Sequence, residues 1–314
     1  MAELVDLVAR PVVVGARRLP PIGLVVLAAI GAVLLAVIAT AEWVHFNDEH
    51  AYWLAATRLW GGEALYDAAA APNTPFAYWY PPPLAQVLAP LTGLISADVF
   101  SVFWTVLLLA CLWWLAGRDV LVALALIAFL PVAVELRVRN VHLVLAVLIV
   151  LALRRGWAFW IPAAALKITP VLGGLYLAAA GRWRAAVLLG VAGLAVLGVS
   201  FVISPGAWRD FVAVVGARAG TDGGALIPIP FPVRFVAAAI LTIVAGRLAA
   251  TAARNGRSPR TAQVLLIVAL TIGNPTLWAT AFSLLIAIVP IWRTQDVRPA
   301  PAGRVAGEPV VSAA

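Results

Sequence analysis

The chain has 314 residues, 64% of them hydrophobic and only 11% charged, with a mean hydropathy of +1.01. Soluble domains are usually about half apolar and about a quarter charged, so a water-soluble fold is excluded and lipid must be the solvent for much of this surface. The net charge of +8 does not point to a nucleic-acid partner, because the arginines stand in short clusters between apolar runs and no polar domain carries them.

The first apolar run, residues 19–41, follows Arg10, Arg17 and Arg18. It ends in Ala39-Thr40-Ala41, the small-x-small form of a signal-peptidase site, but it is longer than a signal h-region and long enough to span. It is expected to persist as a first helix with the N-terminus in the cytoplasm. The following stretch, 42–83, sets five acids (Glu42, Asp48, Glu49, Glu63 and Asp67) against one base, Arg58, a bias that suits the outer face of a plasma membrane. After Asp48, residues Tyr52, Ala55, Ala56, Leu59 and Trp60 recur at helical spacing along one apolar face, and Gly61-Gly62 ends the pattern. A helix lying on the outer surface is predicted. The run 84–95, which follows Tyr80-Pro81-Pro82-Pro83, reads as a second interfacial helix, making 42–97 one outer loop.

Further along, 98–116 is predicted to run inward, 119–134 outward and 141–153 inward again, leaving Arg154 and Arg155 in the cytoplasm. A rival reading makes 84–95 a full span and 157–180 one helix, and places those two arginines outside. Run 157–180 holds Lys167 near its middle with Pro170 just after, and is read as two short helices meeting near Lys167. Runs 184–203 and 232–250 follow as spans, and 261–291 breaks at Gly273-Asn274-Pro275-Thr276. Residues 293–314, rich in Pro and Ala, are expected to be a disordered cytoplasmic tail. The prediction is an all-α polytopic bundle of about ten membrane segments, one integral domain over residues 1–292. Internal repeats, common in transporters, are not evident. Cys111, the one cysteine, is read as a packing residue.

The ionisable residues gather at "HFNDEHAYW", residues 45–53. Asp48 admits two readings. It, or Asn47, caps the surface helix; or it is a carboxylate at the membrane edge able to take a proton from a hydroxyl. Glu49 is the alternative base, and His50 a candidate to assist it or bind an acceptor. Lys167, the chain's only lysine, stands inside an apolar run, where an ionisable group is a functional candidate by default. No metal-ligand spacing and no glycine-rich phosphate loop occurs, so neither a divalent metal nor a nucleotide is expected. His142 is read as a packing or capping residue, and Arg58 and Arg234 as weaker candidates.

Several motifs in order carry a resemblance. "DEHAYWLAATRLWGGEALYD", through Asp48, Tyr52, Gly62, Leu65 and Tyr66, resembles the first outer loop of family 87 glycosyltransferases, the polyprenol-phosphate-mannose-dependent mannosyltransferases. Tyr80, Pro81 and Pro82 resemble the family's Tyr-Pro-Pro segment. Asn140, Lys167, Thr169 and Pro170 resemble its Asn-containing helix and Lys-x-Thr-Pro hairpin. The late "NPTLWAT", Asn274 to Thr280, ends in threonine where the family often places a histidine. The resemblance implies a C-type, inverting membrane transferase that takes a sugar from a polyprenyl phosphate to a lipid-linked or cell-envelope glycan at the outer face. It implies Asp48 as general base. Lys167 is then expected at the donor phosphate with Arg139 or Arg137, since guanidinium pairs bidentately with phosphate oxygens. Tyr52, His50, Tyr80, Asn140 and Asn274 are expected to line the substrate site. The alternatives are a flippase for a lipid-linked sugar, or an inactive relative that binds a lipid phosphate.

Overall fold

A computed structural model describes residues 47–66, 77–218, 228–275 and 277–293. The expected first span at 19–41 and the tail from 294 lie outside these residues. Among the described residues the fold is all-helical. Helix α1 (Asp48–Trp60) ends at Gly61 and Gly62, the second in the left-handed region at φ 76°. Helix α2 (Pro82–Thr92) starts on two prolines, whose missing N–H groups cost nothing in a first turn. The sequence expects a helix at both places, and the two pack against each other.

Helix α3 (Ala97–Leu115) opens on a Ser96 cap whose side chain accepts from the Val99 N–H, and Asp98 sits in its first turn. The segment expected as one outward span is broken. Helices α4 (Val120–Ile127) and α5 (Leu130–Val138) meet at an 83° bend. Pro131 lies in the first turn of α5, where its ring is tolerated but the preceding residues are pushed out of helical geometry. Helix α6 (His142–Arg154) follows a left-handed Arg139, φ 57°.

Two short helices then meet around Lys167, as the sequence predicts. A 3-10 turn, Trp157–Phe159, runs into α7 (Trp160–Leu166); a second, Thr169–Val171, runs into α8 (Leu172–Ala179). Lys167 between them is fully extended, φ −148°, ψ 151°. The hairpin closes because Gly173 lies under the buried Trp160 indole; a Cβ there would fall 2.3 Å from the ring. Helix α9 (Trp183–Ile203) is a span with few buried residues, and α10 (Pro205–Arg218) follows it. Helix α11 (Phe231–Arg254) packs on α8 and on α12 (Arg260–Ile272). It approaches α8 at Gly246, where a Cβ would sit 2.6 Å from that of Ala179. Close approach at small residues is how helices associate where lipid removes the hydrophobic drive. After the break at Gly273, a long 3-10 stretch, Ala279–Ala287, leads into α13 (Ile288–Arg293).

Three helices, α3, α9 and α11, are long and apolar enough to cross a membrane, or four spans if α4 and α5 count as one. Five shorter apolar helical segments accompany them. The described residues thus form a membrane-type helical bundle without establishing ten segments.

Candidate active site

The first turn of α1 is tied to the linker between α5 and α6 by three side-chain rungs. Arg137 donates to Asn47 Oδ1 at 3.1 Å. Asn140 Nδ2 donates to Asp48 Oδ2. Arg139 forms an ion pair with Glu49 and also donates to Ser101 on α3. The Asn47 side chain makes no capping bond to the helix, nor does Asp48. The capping alternative is therefore set aside; both side chains are turned across to the linker instead. Glu49 is buried, with its second oxygen unpartnered among the described residues, so it has the surroundings of an internal ion pair. Arg139 is held at both ends: its guanidinium by Glu49 and Ser101, and its carbonyl by the Trp104 indole N–H at 2.9 Å. That grip offsets the cost of a left-handed non-glycine residue and aims the next residue, Asn140, at Asp48.

The Asp48 carboxyl is half-buried, and Oδ1 has no partner among the described residues. Burial raises it to about 7, with Lys167 and Asn140 pulling it down and Glu135 and Glu49 pushing it up. Lys167 is buried, and its Nζ lies 5.2 Å from the Tyr80 ring centroid. Among the described residues no carboxylate comes within ion-pair distance of it.

Tyr80 lies beside both. Its hydroxyl accepts from Tyr52 at 3.0 Å, its carbonyl accepts from Tyr66 at 2.6 Å, and the rings of Tyr52 and Tyr80 meet edge-on at 4.8 Å. Burial raises both phenols well above their ordinary range, so both hydroxyls keep their protons. His50 sits half-buried in the first turn of α1. The expected candidates Asp48, Glu49, Tyr52, Tyr80, Arg137, Arg139, Asn140 and Lys167 therefore converge on one region, Arg137 and Arg139 there bonded to the acid-bearing turn.

Asn274 belongs to a second, deeper cluster that the sequence reading did not assemble. Glu135 on α5 is fully buried; it accepts from the His142 backbone N–H at 2.6 Å and faces His142 Nδ1 at 3.0 Å. His142 Nε2 in turn faces Asn274 Nδ2 at 3.0 Å, so the ring links the carboxylate to the late break. Arg234 on α11 donates to the carbonyls of Ile229, Ile272, Asn274 and Pro275 and so pins the late break. A lone Glu inside the apolar run of residues 130–136 was the available signal for this cluster. Among the described residues no group of three His, Cys, Asp or Glu side chains could hold a metal ion.

The chain is 30% identical over 229 residues to the polyprenol-phosphate-mannose-dependent alpha-(1-2)-phosphatidylinositol pentamannoside mannosyltransferase of Mycolicibacterium smegmatis, covering 64% of this chain and 53% of that protein. The chain thus spans about half the length of the curated relative it matches. No solved structure matches it. The model of glycosyltransferase family 87 matches residues 78–310, a stretch that includes Tyr80, Asn140, Lys167 and Asn274 and begins after Asp48. The chain belongs to glycosyltransferase family 87.

Proposed function

We propose that this protein is an inverting mannosyltransferase that moves a sugar from a polyprenyl-phosphate donor to a lipid-linked or cell-envelope glycan at the outer face of the plasma membrane. The observation that carries the reading is a pair of uncommitted groups that act on one another through space beside Tyr80. One is a carboxylate oxygen, Asp48 Oδ1. The other is an ammonium, Lys167 Nζ, with no carboxylate in ion-pair distance among the described residues.

In this mechanism the acceptor hydroxyl gives its proton to Asp48 as its oxygen attacks the anomeric carbon. The bond from that carbon to the phosphate oxygen breaks on the opposite face, and its electron pair stays with the phosphate. The configuration is inverted, and polyprenyl phosphate departs with one more negative charge than the donor carried. Lys167 balances that charge in a site of low dielectric, where a fixed cation is worth far more than in water. A sugar phosphate already has a good leaving group, so neither a metal nor a nucleotide is required. Tyr52, Tyr80 and His50 border the region where the sugar would lie. The name of the Mycolicibacterium relative supports the polyprenol-phosphate-mannose donor.

The test is Asp48→Asn in the purified full chain, supplied with radiolabelled polyprenyl-phosphate-mannose and phosphatidylinositol mannosides as acceptor. Transfer should fall ~10²–10⁴-fold with the fold retained. Unchanged turnover rejects Asp48 as base; counterflow of lipid-linked sugar in proteoliposomes without any transfer would favour a flippase.

A further inference from the structure

Asn140 is placed unlike the other polar residues around Asp48. It is almost wholly buried, and both ends of its amide are used. Oδ1 accepts from the Val141 N–H at 2.6 Å while Nδ2 donates to Asp48 Oδ2. The assignment of oxygen and nitrogen is forced, because the reverse would set a carbonyl against a carboxylate and an N–H against an N–H. One side chain thus joins the acid to the start of α6. Its own position is fixed from behind by Arg139, which is anchored to Glu49, Ser101 and Trp104.

On the assignment of Asp48 as base, we propose that Asn140 is a positioning residue for the transfer reaction: by occupying Oδ2 it commits Oδ1 as the basic oxygen and holds the carboxylate plane toward the acceptor. The geometry has two consequences. The carboxylate cannot rotate freely, so its unpartnered oxygen is presented in one direction without ordering cost at the moment of reaction. The donated hydrogen bond also favours the charged form, and so keeps the base in use at a lower pH than its buried surroundings would otherwise allow.

The other groups around Asp48 do not duplicate this contact. Lys167 faces it from the hairpin and Glu135 from α5, each through space. Tyr80 faces it from the segment before α2, and Glu49 and Tyr52 from its own helix. Arg137 and Arg139 approach along the linker but are bonded to Asn47 and Glu49.

The experiment measures the pH dependence of kcat and the donor KM for Asn140→Ala and Asn140→Asp in the purified full chain. Asn140→Asp keeps an acceptor for the Val141 N–H and replaces the donor by a second carboxylate oxygen, so it serves if the alanine variant folds poorly. For both, kcat at neutral pH should fall about tenfold or more, the acid limb should move to higher pH by about one unit, and the donor KM should stay within about twofold. The aspartate variant should move further than the alanine one, since two adjacent carboxylates cannot both ionise. A lower kcat with an unmoved acid limb would overturn the proposal and leave Asn140 a packing residue. A limb displaced to lower pH would overturn it too, because the carboxylate would then have dropped onto Lys167. Asp48→Asn run in parallel separates the two readings: if that variant still turns over, the base assignment fails whatever Asn140 does.

Discussion

Two carboxylates act on Lys167 through space, and their surroundings are opposite. Glu135 is fully buried and used at both oxygens: by the His142 backbone, by the His142 ring, and through that ring by Asn274. Asp48 is half-buried and used at one oxygen only. The first arrangement is what holds a bent helix, a short helix and a late break together, since an unpaired buried charge would be costly. The second leaves a basic oxygen with room for a hydroxyl beside it. Charge and helix placement alone do not separate these two acids; the number of commitments each has already made does.

The comparison breaks most sharply in a double dissociation. Asp48→Asn is expected to remove activity by ~10²–10⁴-fold while leaving the detergent-solubilised protein nearly as stable as before. Glu135→Ala should do the reverse. Removing Glu135 leaves the His142 backbone N–H and ring without their acceptor, at about 1–3 kcal/mol for each buried donor left unsatisfied, read as a lowered unfolding midpoint, while turnover per folded molecule stays within a few-fold. If Glu135→Ala folds normally and loses turnover, Glu135 belongs with the chemistry and the contrast collapses.

Lys167 sharpens the same contrast from the cation side. Lys167→Met keeps the apolar stem and deletes the charge, and should raise the donor KM and lower kcat by a combined ~10²–10³-fold. Donor affinity left unchanged in direct binding of polyprenyl phosphate would remove Lys167 from the phosphate site.

The pH profile comes next in size. Burial holds Asp48 near 7, with Lys167 and Asn140 pulling against it. The base must be unprotonated to work, so activity is complete above that value and falls as the pH drops through it, about tenfold for each unit below. An acid limb near the ordinary carboxylate range would mean that the working acid is better solvated than Asp48.

The sequence exposed the parts of this arrangement that depend on neighbours along the chain. Pro170 and the Gly273-Asn274-Pro275 run mark two breaks, and helix α1 follows from apolar spacing and its glycine stop. The bend at Pro131 was legible in principle, but an uncharged apolar run on either side of it looks continuous to a hydropathy argument. What stayed hidden is pairing at long range. Arg137 and Arg139, read on the outer side, are natural partners for a phosphate; folding brings Asn47 and Glu49, 90 residues earlier, against them first. Glu135 and His142 stand seven apart, yet nothing local says that Asn274, 132 residues later than His142, completes their chain.

The smallest effect tests Tyr80, the ring beside Lys167. Tyr80→Phe deletes one hydroxyl, and with it the 3.0 Å bond to Tyr52. A net neutral hydrogen bond is worth about 1 kcal/mol, or about fivefold. The backbone should not move, because the Tyr80 carbonyl remains fixed by the Tyr66 hydroxyl at 2.6 Å. The ring stays beside the Lys167 ammonium, since the 5.2 Å contact is made by the face and not by the oxygen. Tyr80→Leu removes the face as well and forfeits a cation–π contact of roughly 0.5–2 kcal/mol, so donor binding should weaken more in Leu than in Phe. If the two variants behave alike, Tyr80 acts through its hydroxyl and its bond to Tyr52 instead of through the ring face.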